Sequence, residues 1–369
     1  MPDDKAFRVL SLDGGGMRGT YTATYLDRLA STFAQRRGID RLDLGRGFDL
    51  IVGSSTGAII ACAVAVGVPL SDVVDLYRKH GQAIFPRRLP SGILELVWDL
   101  RARPGALTAG DLALREALTA TLGGTTIGAL YRDRKIALTI TAVELSQHRS
   151  WVFKTPHLKA TNHRDDHYRL VDVCMASTAA PIYRSLAAIE HPDKPGSAGY
   201  NVFADGGLWA NNPVLVGLIE ALEMTERGRQ IEVFSLGTCP YPAGEQIPRS
   251  DVNRGLREWK FGGMAAGLSI DAQEFAYDKM ARMLSKHLDR SCEVLRFPRE
   301  QIPAALMPYL ELDDTRAEAI SALINQARCD ADKANSRCGD PADREGRIIC
   351  GLFADMPAWN RPTVEAQLQ

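Results

Sequence analysis

One serine of the chain is flanked by small residues in a pattern suited to nucleophilic catalysis. Residues 53–57 read GSSTG, which matches G-x-S-x-G with Ser55 at its centre. The small residues Gly53 and Gly57 allow such a serine to occupy a tight turn between a strand and a helix, with its hydroxyl exposed. An apolar, strand-like run precedes the motif and an apolar, helix-like run follows it. The segment therefore predicts a nucleophilic serine, and a plain glycine-rich turn is the alternative.

A glycine-rich loop near the start of the chain is suited to bind an anion. Residues 13–19 read DGGGMRG and separate an apolar run from a helical pattern. Consecutive glycines let backbone amides converge on one point, and the start of a helix adds partial positive charge. One candidate anion is the oxygen of a tetrahedral intermediate formed on Ser55, which would make the loop an oxyanion hole.

The same loop also satisfies the dinucleotide-binding pattern G-x-G-x-x-G through Gly14, Gly16 and Gly19. That pattern requires a second strand ending in an acidic residue about 20 positions further on. Asp40 and Asp43 have this separation, but they lie in a charged, turn-like segment. A nicotinamide-dependent oxidoreductase is therefore the second functional hypothesis.

A serine nucleophile needs a base, and none of the seven histidines stands out by its context. His287 is the only one that follows a plausible acid, and its Lys- and Arg-rich surroundings indicate a solvated helix face. Asp205 instead ends the apolar run 201–204 and precedes Gly206 and Gly207. Open α/β sheets hold their sites at the carboxyl ends of strands, where a carboxylate could accept the serine proton. An ordinary Asp-Gly turn is the alternative.

In their order along the chain, the three motifs resemble the patatin-like phospholipase family, over residues 7–238. The resemblance implies a dyad without histidine, in which Ser55 is the nucleophile and Asp205 its base. It assigns the oxyanion hole to Gly14, Gly15, Gly16 and Arg18, with Gly53, Gly57, Gly206 and Gly207 supporting the motifs.

The resemblance also implies a substrate class and a form of regulation. Patatin-like enzymes hydrolyse acyl esters of phospholipids, so we expect a membrane surface as the substrate and no cofactor. We also expect no metal, because no His, Cys or carboxylate cluster in the sequence has the spacing of metal ligands. Some bacterial members are effectors of cyclic-oligonucleotide anti-phage signalling, which adds a cyclic dinucleotide as a candidate activator. A non-catalytic sensor on the same fold is the third hypothesis, although a chain that had lost its activity would be free to lose Ser55 or Asp205.

Composition narrows the class of protein. The 44 Lys and Arg residues balance 45 Asp and Glu residues, which argues against binding to a nucleic-acid polymer. The N-terminus lacks the cationic and apolar regions of a signal peptide, and the longest apolar run, residues 58–70, is too short to span a bilayer. We expect a cytoplasmic protein that acts peripherally at the inner face of the membrane. A homo-oligomer is one candidate state, and the sequence does not decide between it and a monomer.

Short apolar runs alternate with helical patterns, which predicts an α/β fold. With the resemblance, the expected architecture is a three-layer α/β/α fold with a largely parallel central sheet. Residues 1–240 would form the catalytic domain, and residues 241–369 a helical portion packed on it or completing it. Strands are predicted at 7–12, 48–52, 135–143, 151–154, 201–204, 231–236 and 293–297, and helices at 20–35, 56–66, 111–122, 170–177, 213–225, 256–288 and 315–334.

Residues 86–105 contain a cluster of apolar side chains between pairs of arginines. A segment of this kind can act as a lid that rests on an anionic bilayer. A helix packed on the core with solvated ends is the alternative.

Overall fold

The computed structural model describes residues 5–86, 93–190, 199–239, 246–255, 258–259, 263–298 and 302–360, with the backbone alone at 93–101, 263 and 266. The described strands form a single mixed sheet. They are β1 (Phe7–Leu12), β2 (Leu50–Ser54), β3 (Ala137–Glu144), β4 (Arg149–Lys154), β5 (Ala187–Glu190), β6 (Tyr200–Asp205), β7 (Ile231–Leu236) and β8 (Cys292–Phe297).

The centre of the sheet is parallel, in the order β3-β2-β1-β7-β8. Strand β1 is buried along its whole length and its side chains alternate between two apolar clusters. Leu10 and Leu12 belong to the larger cluster, and Phe7 and Val9 to the smaller one. A strand that is apolar on both faces must be covered by helices on both sides, which explains its continuous hydrophobic run.

Helices cover both faces and complete the three predicted layers. The helices are α1 (Gly19–Arg36), α2 (Thr56–Val66), α3 (Leu70–Ile84), α4 (Ile93–Leu122), α5 (Ile127–Arg134), α6 (Leu170–Ser177), α7 (Gly207–Ala210), α8 (Val214–Met224), α9 (Gly263–Ser285), α10 (Ala317–Arg337) and α11 (Arg344–Asp355). The larger apolar cluster includes residues of α1, α2, α3, α6 and α10, and the smaller one includes residues of α8 and α9.

Strand pairing brings the three motifs together. Because β1 and β2 are parallel neighbours, the glycine loop after β1 and Ser55 after β2 lie at the same edge. Strand β3 makes the link to the third motif, since Thr141 lies opposite Ser54 and Ala142 lies opposite Asp205. Asp205, the last residue of β6, therefore lies close to the end of β2.

The prediction of a largely parallel α/β sheet is confirmed, with differences at particular elements. Strand β2 ends at Ser54, two residues later than predicted, so it runs directly into Ser55. The helix predicted from residue 111 begins at Ile93 and passes through Pro104.

Parts of the predicted lid lie outside the described residues, and the lid remains a prediction. Among the described residues, no helix is long and apolar enough to cross a membrane.

Candidate active site

Ser55 lies at a strained turn between β2 and α2. Its backbone has φ 52° and ψ −123°, a conformation that residues other than glycine rarely adopt. The two flanking glycines permit the turn because a Cβ on Gly57 would lie 2.2 Å from the carbonyl oxygen of Leu12, and one on Gly53 would lie 2.5 Å from that of Gly57. The Ser55 amide donates to the hydroxyl of Ser177, the last residue of α6, at 2.8 Å. This hydrogen bond holds the turn in place.

The Ser55 hydroxyl donates a hydrogen bond of 2.7 Å to Oδ2 of Asp205. The other carboxylate oxygen accepts from the Gly207 amide at 2.6 Å. Gly206, between them, donates its amide to the backbone carbonyl of Ser177, at 3.1 Å. Thus Ser177 contacts both the serine turn and the aspartate turn, and the structure brings the Ser55 and Asp205 side chains together.

Asp205 is buried, and its surroundings hold its pKa above that of an exposed carboxyl. Loss of solvation raises the pKa to about 6, although the hydrogen bonds from Ser55 and Gly207 and the positive charge of Arg184 oppose the rise. The Arg184 guanidinium is itself buried and forms an ion pair with Asp111. At neutral pH the carboxylate is therefore mostly ionised and far more basic than an exposed aspartate.

Hydrogen bonds to two carbonyl groups of the glycine loop set the direction of the amides that follow them. The Gly14 carbonyl accepts from the Thr238 hydroxyl at 3.1 Å and from Nδ2 of Asn211 at 3.3 Å. The Gly15 carbonyl accepts from the Arg18 amide at 3.1 Å and from Nε of Arg18 at 3.4 Å. In a trans peptide the N–H group points opposite to the preceding carbonyl, so these contacts orient the amides of Gly15 and Gly16.

The three glycine amides of this loop differ in their availability. The Gly14 amide donates to the backbone carbonyl of Asn211 at 2.9 Å. Within the part of the chain that the structure describes, the amides of Gly15 and Gly16 make no hydrogen bond. Gly16 has φ +55°, and a Cβ there would lie 2.3 Å from the carbonyl oxygen of Leu312. An anion bound here therefore has two free amides, those of Gly15 and Gly16.

The base of the loop is held by buried charges from three distant segments. Asp13 is fully buried and forms an ion pair with Arg296 at the end of β8, which also pairs with Glu274 of α9. Burial raises the pKa of Asp13 well above its ordinary value, and the Arg296 charge opposes that rise. The Glu274 carboxylate also accepts from Asn211, at 3.4 Å, so the cluster contacts both sides of the glycine loop.

A cavity with largely apolar walls opens beside the Ser55 hydroxyl. Its polar side is formed by Gly15, Gly16, Arg18, Asp205 and Arg184. Apolar side chains form most of the remaining wall and suit a hydrocarbon chain. They include Ile59, Ile84, Phe85, Leu114, Ile270 and Leu312.

The residues that the rival hypotheses require are engaged elsewhere. Asp43 forms a bidentate ion pair with Arg134 at 2.7 and 3.0 Å, instead of ending a strand beside the glycine loop. His287, the histidine that follows a plausible acid, is exposed and does not line the Ser55 cavity. No sequence motif marks Arg184, Glu274 or Arg296, because their roles depend on contacts between segments far apart in the chain.

Comparison with known proteins identifies the family of this chain. The family model described as patatin-like phospholipase matches residues 10–218. The chain belongs to the patatin-like phospholipase family. It is 34% identical over 279 residues to a cGAMP-activated phospholipase of Pseudomonas aeruginosa, with 75% of this chain and 74% of that protein covered.

Two further relatives carry the same description. The Vibrio cholerae protein is 30% identical over 333 residues, with 87% of this chain and 89% of the relative covered. The Escherichia coli protein is 34% identical over 265 residues, which covers 70% of this chain and 68% of that one. The chain is accordingly a lipid ester hydrolase of the patatin-like family.

Proposed function

We propose that this protein hydrolyses fatty-acyl ester bonds of membrane phospholipids, with Ser55 as nucleophile and Asp205 as general base. The observation that carries the proposal is the 2.7 Å hydrogen bond between these side chains at the wall of an apolar cavity. The nucleophile and its base are thereby in contact before substrate binds, and the cavity offers space for the acyl chain.

In the first half of the reaction, the Ser55 oxygen attacks the ester carbonyl carbon while Asp205 takes the hydroxyl proton. A carboxylate with a pKa near 6 is a better base than an exposed aspartate and is still ionised at pH 7. As the tetrahedral intermediate collapses, the leaving alcohol takes the proton from Asp205 and the acyl group stays on Ser55.

The negative oxygen of the intermediate would be held by the amides of Gly15 and Gly16. Both are oriented before substrate arrives, and the start of α1 adds the partial positive charge of a helix N-terminus. Arg18 acts as a positioning residue, since its hydrogen bonds to the Gly15 carbonyl fix the direction of the Gly16 amide.

In the second half, water attacks the acyl-enzyme and Asp205 again serves as the base. The proton returns from Asp205 to the Ser55 oxygen as the fatty acid leaves. Ser55 and Asp205 are thus restored to their starting protonation states.

The substrate is proposed to be reached at the inner face of the membrane, from the cytoplasm. Two exposed apolar side chains, Ile182 and Leu208, also line the cavity that holds Ser55. Helix α9, whose Ile270 lines the same cavity, exposes Leu268 and Phe275 to solvent. Exposed apolar side chains around a lipid-sized cavity fit an interfacial enzyme.

Activation by a cyclic dinucleotide is part of the proposal. Each of the three relatives described above is named as a cGAMP-activated phospholipase, and the alignment with the Vibrio protein spans most of both chains. We therefore propose that a cyclic dinucleotide stimulates hydrolysis by this protein.

The test is the release of fatty acid from mixed phospholipid vesicles, with and without cGAMP, by the wild type and two matched variants. Ser55→Ala removes the proposed nucleophile. Ser54→Ala removes the adjacent buried hydroxyl, which has no hydrogen-bond partner among the described residues. We expect Ser55→Ala to release no fatty acid above background and Ser54→Ala to release it at a rate close to that of the wild type.

Two outcomes would contradict the proposal. Undiminished release by Ser55→Ala would refute the assignment of the nucleophile. No release by the wild type from vesicles or from a soluble p-nitrophenyl ester, with any cyclic dinucleotide, would favour a non-catalytic sensor.

A further inference from the structure

A second cavity lies outside the Ser55 site and shares no lining residue with it. This cleft has a volume of about 710 Å³ and lies between the end of α9, strand β8 and the start of α11. Leu288, Val294 and Ile348 give it an apolar wall. Its size is in the range of small-molecule sites, which typically measure about 300–1,000 Å³.

The charge of the cleft is mainly positive. Five cationic side chains line it against three carboxylates. The cations are Arg282, Lys286, Arg290, Arg337 and Arg344, and the carboxylates are Glu293, Asp343 and Glu345.

Two of these cations are not matched by a carboxylate. Arg282 pairs with Asp278, Arg337 pairs with two carboxylates of the cleft, and Arg344 pairs with a third. Over the residues that the structure describes, neither Lys286 nor Arg290 forms an ion pair; Arg290 donates to the Thr225 hydroxyl at 2.6 Å. The two lie four residues apart, just after α9 ends.

We infer that this cleft binds a cyclic dinucleotide, with Lys286 and Arg290 on its two phosphates and a base against the apolar wall. The inference rests on the proposed activation by such a nucleotide. A cyclic dinucleotide carries two negative charges, which equals the number of unmatched cations. It also has two planar bases that need an apolar surface.

The position of the cleft provides a route to the Ser55 site. Its walls include β8 and the end of α9, and the same two elements carry Arg296 and Glu274. These two side chains contact each other, and Arg296 holds Asp13 at the base of the glycine loop. A ligand that changes the position of α9 relative to β8 would therefore act, through Arg296 and Asp13, on the loop that presents the Gly15 and Gly16 amides.

The test measures cGAMP, cyclic di-GMP, cyclic di-AMP and cUMP-AMP binding to the full chain by isothermal titration calorimetry. Lys286→Gln/Arg290→Gln removes the two unmatched charges, and Lys159→Gln/Arg132→Gln is the matched control at exposed sites elsewhere. Thermal unfolding shows whether each variant is folded, and the single substitutions replace the double variant if it is not. Since each lost charge-assisted contact weakens binding substantially, we expect at least roughly tenfold weaker binding by the cleft variant and wild-type binding by the control.

The outcomes separate this inference from the proposed function. Weaker binding in the cleft variant alone, with the wild-type affinity falling as salt rises, supports the cleft. Equal binding by both variants and the wild type overturns the cleft and leaves the activation in place. If none of the four nucleotides binds to the wild type, both the nucleotide site in the cleft and the activation by a cyclic dinucleotide are overturned. The proposed phospholipid hydrolysis is tested separately, by fatty-acid release from vesicles, and does not depend on that result.

Discussion

Replacing Asp205 with asparagine is expected to make the folded protein more stable at pH 8 and, at the same time, inactive. The carboxylate is buried, so the folded state holds it in its charged form at a cost. Asparagine is neutral and similar in shape. Its side-chain oxygen can still accept from the Gly207 amide, and its amide group can donate to the Ser55 hydroxyl oxygen, so the substitution removes the charge and retains the local contacts.

The size of the effect follows from the pKa of Asp205, which burial raises from 3.8 to about 6. The folded state binds the proton more tightly than the unfolded state, so the wild type loses stability as pH rises through this interval. A change of about two pKa units corresponds to roughly 3 kcal/mol. With an unfolding entropy of about 2 cal/mol/K for each of the 369 residues, the substitution should raise the Tm by roughly 4 °C at pH 8.

Differential scanning calorimetry of the wild type and Asp205→Asn between pH 3 and pH 8 tests this reasoning. Asp133→Asn, at an exposed aspartate, is the control and should not change the Tm. The advantage of Asp205→Asn should vanish near pH 3, where both side chains are neutral. An equal Tm at pH 8, or a gain of the same size at every pH, would show that the burial cost assigned to Asp205 is wrong.

Three other variants test neighbouring parts of the site and of the membrane contact. In Arg184→Met, loss of the positive charge that lowers the pKa of Asp205 should move the acidic limb of kcat/KM above its wild-type midpoint near pH 6; an unchanged pH profile would exclude this electrostatic role. Gly16→Ala should lower kcat by roughly 100-fold or more, because its Cβ would meet a backbone carbonyl and displace an oxyanion amide, and near-normal kcat would refute the assignment. Leu268→Glu/Phe275→Glu should reduce hydrolysis of vesicles at least about tenfold and leave p-nitrophenyl butyrate hydrolysis unchanged, and equal losses on both substrates would count against membrane contact.

The elements around the dyad could be predicted from the sequence because they combine local signals. Strands β1 and β7 and helices α2 and α6 have the predicted bounds, since each is a short apolar segment ended by glycine or polar residues. The order of the motifs, and the resemblance they carried, then indicated which strand ends would meet. No local pattern marked β5, a four-residue edge strand, or helices α3, α5 and α11.

The electrostatic support of the site could not be read from the sequence. Asp13 and Arg296 are 283 residues apart, and neither residue type signals its partner. The same holds for Arg184, whose buried guanidinium pairs with Asp111 across 73 residues. Which amides of the glycine loop are free also depends on long-range contacts, because the Gly14 amide donates to the backbone carbonyl of Asn211.

The central claim is that Ser55 is the nucleophile and that ionised Asp205 activates it. The most direct measurement is mass spectrometry of the protein after reaction with an alkyl fluorophosphonate, with the adduct mapped to a residue and its rate followed between pH 4 and pH 8. We expect a single adduct on Ser55, a rate that falls about tenfold for each pH unit below 6, and no adduct in Ser55→Ala. An adduct on another residue, or labelling of Ser55 at a rate independent of pH over this range, would contradict the account.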